Sequence, residues 1–194
     1  MANTVKFGLS NCYYSVATES YTSTTNTYSY TYGTPKPLRG AVSLNLSANQ
    51  EKNVFRADNI DYYVSQSNNG YEGDLELALI PDDFRKDCLG CSTDSNGVLV
   101  ESVNDKAVAF ALLFQFEGDD KARRHVFYNC IASLPDVASQ TTEETIDPVT
   151  ETISVTATAR KNDGVVKAST VDGDNSSAQY TGWFSSVYTP VTTS

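Results

Sequence analysis

Apolar and polar residues alternate with a period of two over much of the chain, the pattern of β-strands buried on one face. At 40–47, Val42, Leu44 and Leu46 share one face and Ser43, Asn45 and Ser47 the other. At 74–79, Leu75, Leu77 and Leu79 oppose Asp74, Glu76 and Ala78. At 152–159, Ile153, Val155, Ala157 and Ala159 oppose Thr152, Ser154, Thr156 and Thr158. Each segment predicts a strand with one wet face. The run from Val108 to Phe116 is apolar on both faces, with its bulk on the even-numbered side, and predicts a strand in the middle of the fold. Asn68-Asn69-Gly70 and Asn162-Asp163-Gly164 tolerate the positive φ values of tight turns, and each separates two strand-like runs. Hairpins are therefore predicted near 60–79 and 152–171.

One helix interrupts the strands, at about 81–90. Pro81 suits a first helical position, Asp82 and Asp83 favour the positive end of the helix dipole, and Gly90 can close the helix in the left-handed conformation. Phe84 and Cys88, four residues apart, then face inward. Segment 18–34 is rich in Tyr and Thr and has no large aliphatic residue, so it predicts an exposed loop or a protruding hairpin. Neither an internal repeat nor a linker is evident. Residues 1–194 read as a single, mainly β domain with flexible terminal arms.

Composition narrows the class. The 194 residues are 40% hydrophobic and 20% charged, which excludes collagen, coiled coil and wholesale disorder. No apolar run is long enough to span a membrane, and Met1 to Gly8 lacks the parts of a signal peptide, so synthesis and folding in a cytosol are expected. The net charge of −10 argues against binding nucleic acid through phosphates, which needs clustered Lys and Arg. Most of that charge lies in residues 71–120, with 12 acidic and 3 basic side chains. Such a region is either a solvated face that maintains solubility or a surface that repels something anionic.

Candidate catalytic chemistry is sparse. His125, in Arg123-Arg124-His125-Val126, is the single histidine and reads as a surface or interface residue rather than a general base. Nucleophile elbow, phosphate loop and zinc-protease motifs are missing. The adjacent carboxylates Asp82/Asp83, Asp119/Asp120 and Glu143/Glu144 form no credible acid/base pair. Cys88-Leu89-Gly90-Cys91, with Cys130 plus Cys12 or His125, contains enough ligands for zinc, but a second close-spaced pair is wanting. A redox role suits it poorly, because the pair falls at the predicted helix C-terminus, where the dipole does not lower thiol pKa. Reduced structural thiols are the expectation, with no catalytic residue, cofactor or metal. Tyr28, Tyr30 and Tyr32 alternate into a stripe of the kind that packs against another subunit, binds sugars or stacks bases.

Several short blocks follow one another along the chain: Val5-Lys6-Phe7-Gly8-Leu9-Ser10-Asn11, Ala57-Asp58-Asn59-Ile60, and the stretch from Ser67 to Pro81 that contains Asn68-Asn69-Gly70-Tyr71-Glu72-Gly73-Asp74. Further along come Asp94 to Glu101, Phe110 to Phe114 with Arg123 to Val126, Thr141 to Ile146, and Gly182-Trp183-Phe184. In this order and spacing they resemble the phi-thirteen family of phage major tail proteins over nearly the whole chain; the Tyr/Thr-rich 18–34 segment and the cysteines depart from it. The resemblance implies a β-sandwich or β-barrel tail-tube fold with one flanking helix, in a subunit of the long non-contractile tails of Gram-positive phages and prophages. Such subunits form hexameric rings that stack into a hollow tube. Implied partners are further copies of the chain, tail tip or baseplate and tail terminator proteins, and a tape measure protein in the lumen. DNA would pass transiently without specific binding, and no membrane is involved. The implied location is the virion tail, after assembly in the host bacterial cytoplasm.

Within such a tube, half-polar strands leave edges that can pair between neighbours, and the lumen must be lined by their wet faces. Asp74 and Glu76, with Glu72 at the same parity, are the lumen-facing candidates. Tyr28, Tyr30, Tyr32 and Trp183 are the inter-subunit candidates. A carbohydrate-binding β-sandwich module of a phage or cell surface, using the tyrosines, is the alternative. An enzyme relying on His125 or zinc is a third class.

Overall fold

The computed structural model describes residues 7–117, 122–139, 149–171 and 177–191. Thr141–Ile146, the Asp119/Asp120 and Glu143/Glu144 pairs and both chain ends lie outside them. The protein is mainly β, built on a large antiparallel sheet of β1 (Phe7–Thr22), β2 (Thr27–Tyr32), β3 (Lys36–Pro37), β4 (Ala41–Ala57), β5 (Ile60–Leu77), β8 (Phe110–Glu117), β9 (Arg124–Ala132), β10 (Glu151–Thr158) and β11 (Lys167–Ser169). Between β5 and β8 lie helix α1 (Asp82–Cys88) and a small ladder of β6 (Ser92–Thr93) and β7 (Leu99–Val100). A second short helix, α2 (Ala178–Thr181), follows β11.

The main path runs β2-β1-β8-β9-β10-β5-β4, so β2 and β4 are its ends among the described residues. The sheet wraps a core that includes Leu75, Leu77, Phe110, Leu112, Phe127, Cys130, Ile153 and Val155, and Phe84 of α1 plugs it. The Phe84 ring meets Tyr14 and Phe110 edge-on at 5.0 and 5.3 Å. Over β8 and β9 the outer face is covered as well. Ala111, Leu113, Val126 and Tyr128 pack there under Trp183, Phe184 and Tyr188. Two covered faces explain why Phe110–Phe114 is fully buried, and β8 is an interior strand as its pattern predicts. The even-numbered side chains enter the large core and the odd-numbered ones the smaller cluster.

The helix lies within the predicted 81–90. Asp82 and Asp83 occupy its first turn, Phe84 and Cys88 are buried, and Gly90 has φ +87° beyond its end. Its Arg85 guanidinium binds Glu151 at the start of β10 at 3.0 Å, and its Asp87 accepts hydrogen bonds from Tyr14 and Lys36. A single helix was expected, but α2 is a further one. Its four residues are too few for a helical period to show.

Both predicted hairpins are corrected. Asn68-Asn69-Gly70 does not turn the chain; it lies inside β5, an 18-residue strand that pairs with the 17-residue β4. The turn is at Asp58 and Asn59, with φ +53° and +61°. Asn69 and Gly70 instead form an irregularity in the ladder between the pairs Ala48↔Tyr71 and Gln50↔Asn68. Around Asn162-Asp163-Gly164 the chain makes a tight excursion. Strands β10 and β11 do not pair with each other but lie one after the other along β9, opposite 129–132 and 125–127. Three ends of the predicted alternations also differ. Leu79 and Ala159 fall beyond their strands, and Val42 stands at a register shift next to Ala41; all three are exposed.

One further irregularity orients β9. Ala111 faces two residues, Tyr128 and Asn129, because the register shifts between Phe110↔Cys130 and Leu112↔Phe127. The extra residue turns the alternation over. Val126 and Tyr128 point into the smaller cluster, whereas Cys130 and Ala132 point into the large core.

Candidate functional site

Beyond this bulge, none of the described residues covers the outer face of the sheet over β10, β5 and β4. The register aligns Ser43, Glu76 and Thr152 in one row, Asn45, Asp74 and Ser154 in the next, and Ser47, Glu72 and Thr156 in the third. The grid is polar throughout, its only charges are the three carboxylates of the central strand, and it contains no Lys or Arg. Each residue follows from strand parity: Leu75 and Leu77 are fully buried, so Asp74, Glu76 and Glu72 must face outward.

The carboxylates are held by hydroxyls. Glu76 accepts hydrogen bonds from Thr150 at 2.6 Å and Ser43 at 2.8 Å, and Asp74 accepts one from Ser154 at 2.8 Å. The bonds from Thr150 and Ser43 hold the Glu76 carboxyl below its ordinary value, so it stays ionised in mild acid. Chemically, the face can repel phosphates and hydrate freely.

A second feature was not singled out by sequence reasoning. Beyond Asn68, β4 and β5 leave the body as a two-stranded ribbon that ends at Asp58-Asn59. On it Phe55, Tyr62 and Tyr63 are 61–71% exposed, and Val54, Ile60 and Val64 are exposed too. Isolated two-stranded ribbons are marginal in water, and apolar side chains on both faces mark a surface that lacks its partner. The available signal was the apolar run Tyr62-Tyr63-Val64 paired with Val54-Phe55 across Asp58-Asn59.

The tyrosine stripe turns onto its own chain. β1 and β2 form a hairpin in which Tyr28, Tyr30 and Tyr32 are half-buried and Thr27, Ser29 and Thr31 exposed. The Tyr30 hydroxyl donates to Glu19 at 2.6 Å and accepts the Lys161 backbone N–H at 3.3 Å. The Lys161 ammonium binds Glu19 at 2.7 Å and lies 5.0 Å from the Tyr28 ring. The neighbouring Arg160 is buried, paired with Asp163, with its guanidinium 4.2 Å over Tyr128. Tyr32 leans on that same ring at 6.2 Å. Trp183 is only 3% exposed, stacks on Tyr188 and donates to the His125 carbonyl at 3.3 Å.

His125, expected at a surface or an interface, is half-buried and stacked on Phe114 at 5.2 Å. The four cysteines are free and buried. Burial pushes the Cys12 and Cys130 thiols up to about 12 and raises Cys88 and Cys91 as well, so they are poor nucleophiles near neutrality. Among the described residues, no three His, Cys, Asp or Glu side chains gather as a metal site, and no helix is long and apolar enough to cross a membrane. At pH 8 a thiol reagent should label the folded protein at least tenfold more slowly than the denatured chain, which should give four equivalents. Fast labelling of the folded protein would show that the thiols are accessible.

No curated protein matched the chain. The family model described as phage tail tube protein matches residues 4–176. The chain therefore belongs to the phage tail tube protein family, whose members are structural components of the tail and not enzymes.

Proposed function

We propose that the chain is the repeating subunit of stacked hexameric rings and that the bare face of β4, β5 and β10 lines the channel through which DNA leaves. What supports this is the grid itself. Glu72, Asp74 and Glu76 stand in one line, flanked on both sides by short polar residues, with no cation that would hold a phosphate. Residues 1–194 act as one tail-tube domain in a long non-contractile tail. The tape measure protein occupies the lumen before DNA, tip and terminator proteins close the two ends, and assembly takes place in the host bacterial cytoplasm.

The ribbon of β4 and β5 is the main contact with a second copy. Burying its aromatic side chains in a neighbour would contribute roughly 1.5–3 kcal/mol each. Trp183 serves assembly indirectly, by pinning the C-terminal segment over β8 and β9. The direct test is negative-stain microscopy and sedimentation velocity of the full chain across a wide concentration range. Rings and tubes with six-fold symmetry are expected. A species that stays monomeric, alone and with a tail-tip initiator, would count decisively against the tube. Phe55→Ser with Tyr63→Ser should abolish tube formation while shifting the melting temperature of the free subunit by no more than about 2 °C, because both rings are exposed in it.

A further inference from the structure

The tyrosine hairpin ends in a free strand edge, and its chemistry is unusual for one. β2, Thr-Tyr-Ser-Tyr-Thr-Tyr, carries no charge, no proline and no bulge. Those are the devices by which soluble proteins protect an exposed edge from pairing with another chain. The phase of its ladder follows from one bond. Gly33 donates its N–H to the Val16 carbonyl, and antiparallel bonding alternates, so Thr31, Ser29 and Thr27 bond inward to β1. The N–H and C=O groups of Tyr28 and Tyr30 therefore point outward, away from β1, and β2 pairs with no other strand among the described residues.

Meanwhile the side chains fix this edge in place. Tyr28 and Tyr30 rest on Lys161 of the excursion between β10 and β11, Tyr30 also bonds Glu19 of β1, and Tyr32 leans on the ring of Tyr128 in β9. A strand so held is organised before it meets a partner, which lowers the entropy cost of pairing. We infer that the outer edge of β2 is a strand-pairing edge joined by a second copy of this chain, and that the tyrosine stripe is the mount that presents it. The second copy is favoured over another protein because the sheet's opposite end is a matching one. Among the described residues β4 ends the path there, and although β4 partly lies beside β1, its first ten residues, Ala41 to Gln50, are likewise uncharged and pair only with β5. An edge at each end of one path permits head-to-tail joining, which closes into a ring. The inference rests on the tube reading proposed above and names where one copy meets the next.

Amide hydrogen exchange of the full wild-type chain, read residue by residue in free subunit and in assembled tube, tests it. In the free subunit Ser29 and Thr31 should be protected and Tyr28 and Tyr30 should exchange fast. In the tube Tyr28 and Tyr30 should slow at least tenfold. As a second arm, Tyr30→Pro removes the outward N–H without taking a bond from β1, and Tyr30→Ala removes the ring but keeps the N–H. Proline should reduce tube yield at least tenfold more than alanine, with both subunits shown folded by circular dichroism. Tubes in which Tyr28 and Tyr30 exchange as fast as in the subunit would overturn the edge alone. A chain that never assembles would overturn both the edge and the tube.

Discussion

Changing Glu72, Asp74 and Glu76 together to lysine should leave the subunit folded and sharply slow genome passage through the proposed channel. Glu72 and Asp74 are exposed and Glu76 is half-exposed, so the free subunit should keep its fold and nearly its melting temperature. The consequence for DNA is of another order. In the proposed tube, a wall that offered duplex no cation would offer three per subunit, repeated around each ring. Lysines that neutralise phosphates release counterions, and every such contact adds affinity. DNA would be held where it must slide. Particles carrying the triple variant should eject DNA at least tenfold more slowly, with partial recovery at high salt, because the attraction is screened. Glu72→Gln, Asp74→Asn and Glu76→Gln together should lie between. Normal ejection by the lysine variant, or a tube reconstruction with this face on the outer wall, would remove these residues from the channel.

The fold should be highly sensitive to a side chain at Gly70. Its φ of +101° is unfavourable to any side chain, and a Cβ there would stand 2.1 Å from the Ala157 carbonyl oxygen in β10. That oxygen is backbone in a paired strand and cannot turn aside. Gly70→Ala would have to push β10 off β5 beside the pair Ala157↔Tyr71, at the margin of the large core. A loss of at least about 3 kcal/mol is expected, a large part of the stability of a typical domain. Gly97 is the control. Its φ is also positive, at +82°, but nothing lies within 4 Å of its Cβ position. Gly97→Ala should therefore cost only backbone strain, about 1–2 kcal/mol. Urea unfolding of the two variants separates clash from strain, and equal losses would mean that β10 yields more easily than this geometry implies.

Gly70 also shows where reading the sequence stops. Asn-Gly between two apolar runs is a strong local hairpin signal, and here it misled, because this glycine answers to a third strand more than eighty residues away. The turn itself used Asp58-Asn59, a weaker signal with no glycine. Local periodicity worked wherever burial was set by the strand's own alternation, as in Leu75, Leu77, Ile153 and Val155, and it placed Phe84 and Cys88 on the inner side of α1. It also found the outward parity of Glu72, Asp74 and Glu76. Alternation also exposed the tyrosine stripe, but not what covers it. Lys161 and Arg160 reach Tyr28, Tyr30 and Tyr32 only because β10 and β11 share one partner strand, and nothing in residues 18–34 encodes that. The apolar ribbon was hidden for a related reason. Its exposed aromatics have the composition of a core, and only topology shows that no core is near.

The bulge in β9 has a bearing on how this chain can vary. Tyr128 and Asn129 together face Ala111, and every residue after them depends on that extra step for its side of the sheet. Deleting either would send Cys130 and Ala132 outward and drive Ile131, now exposed, into the large core. Restoring the arrangement would take a second single-residue change nearby. In aligned relatives, gaps within this strand should therefore come as compensated pairs or not at all, whereas substitutions at 129 should be freely tolerated. A strand that looks like one continuous element is, for the purposes of insertion and deletion, two frames joined at a single residue.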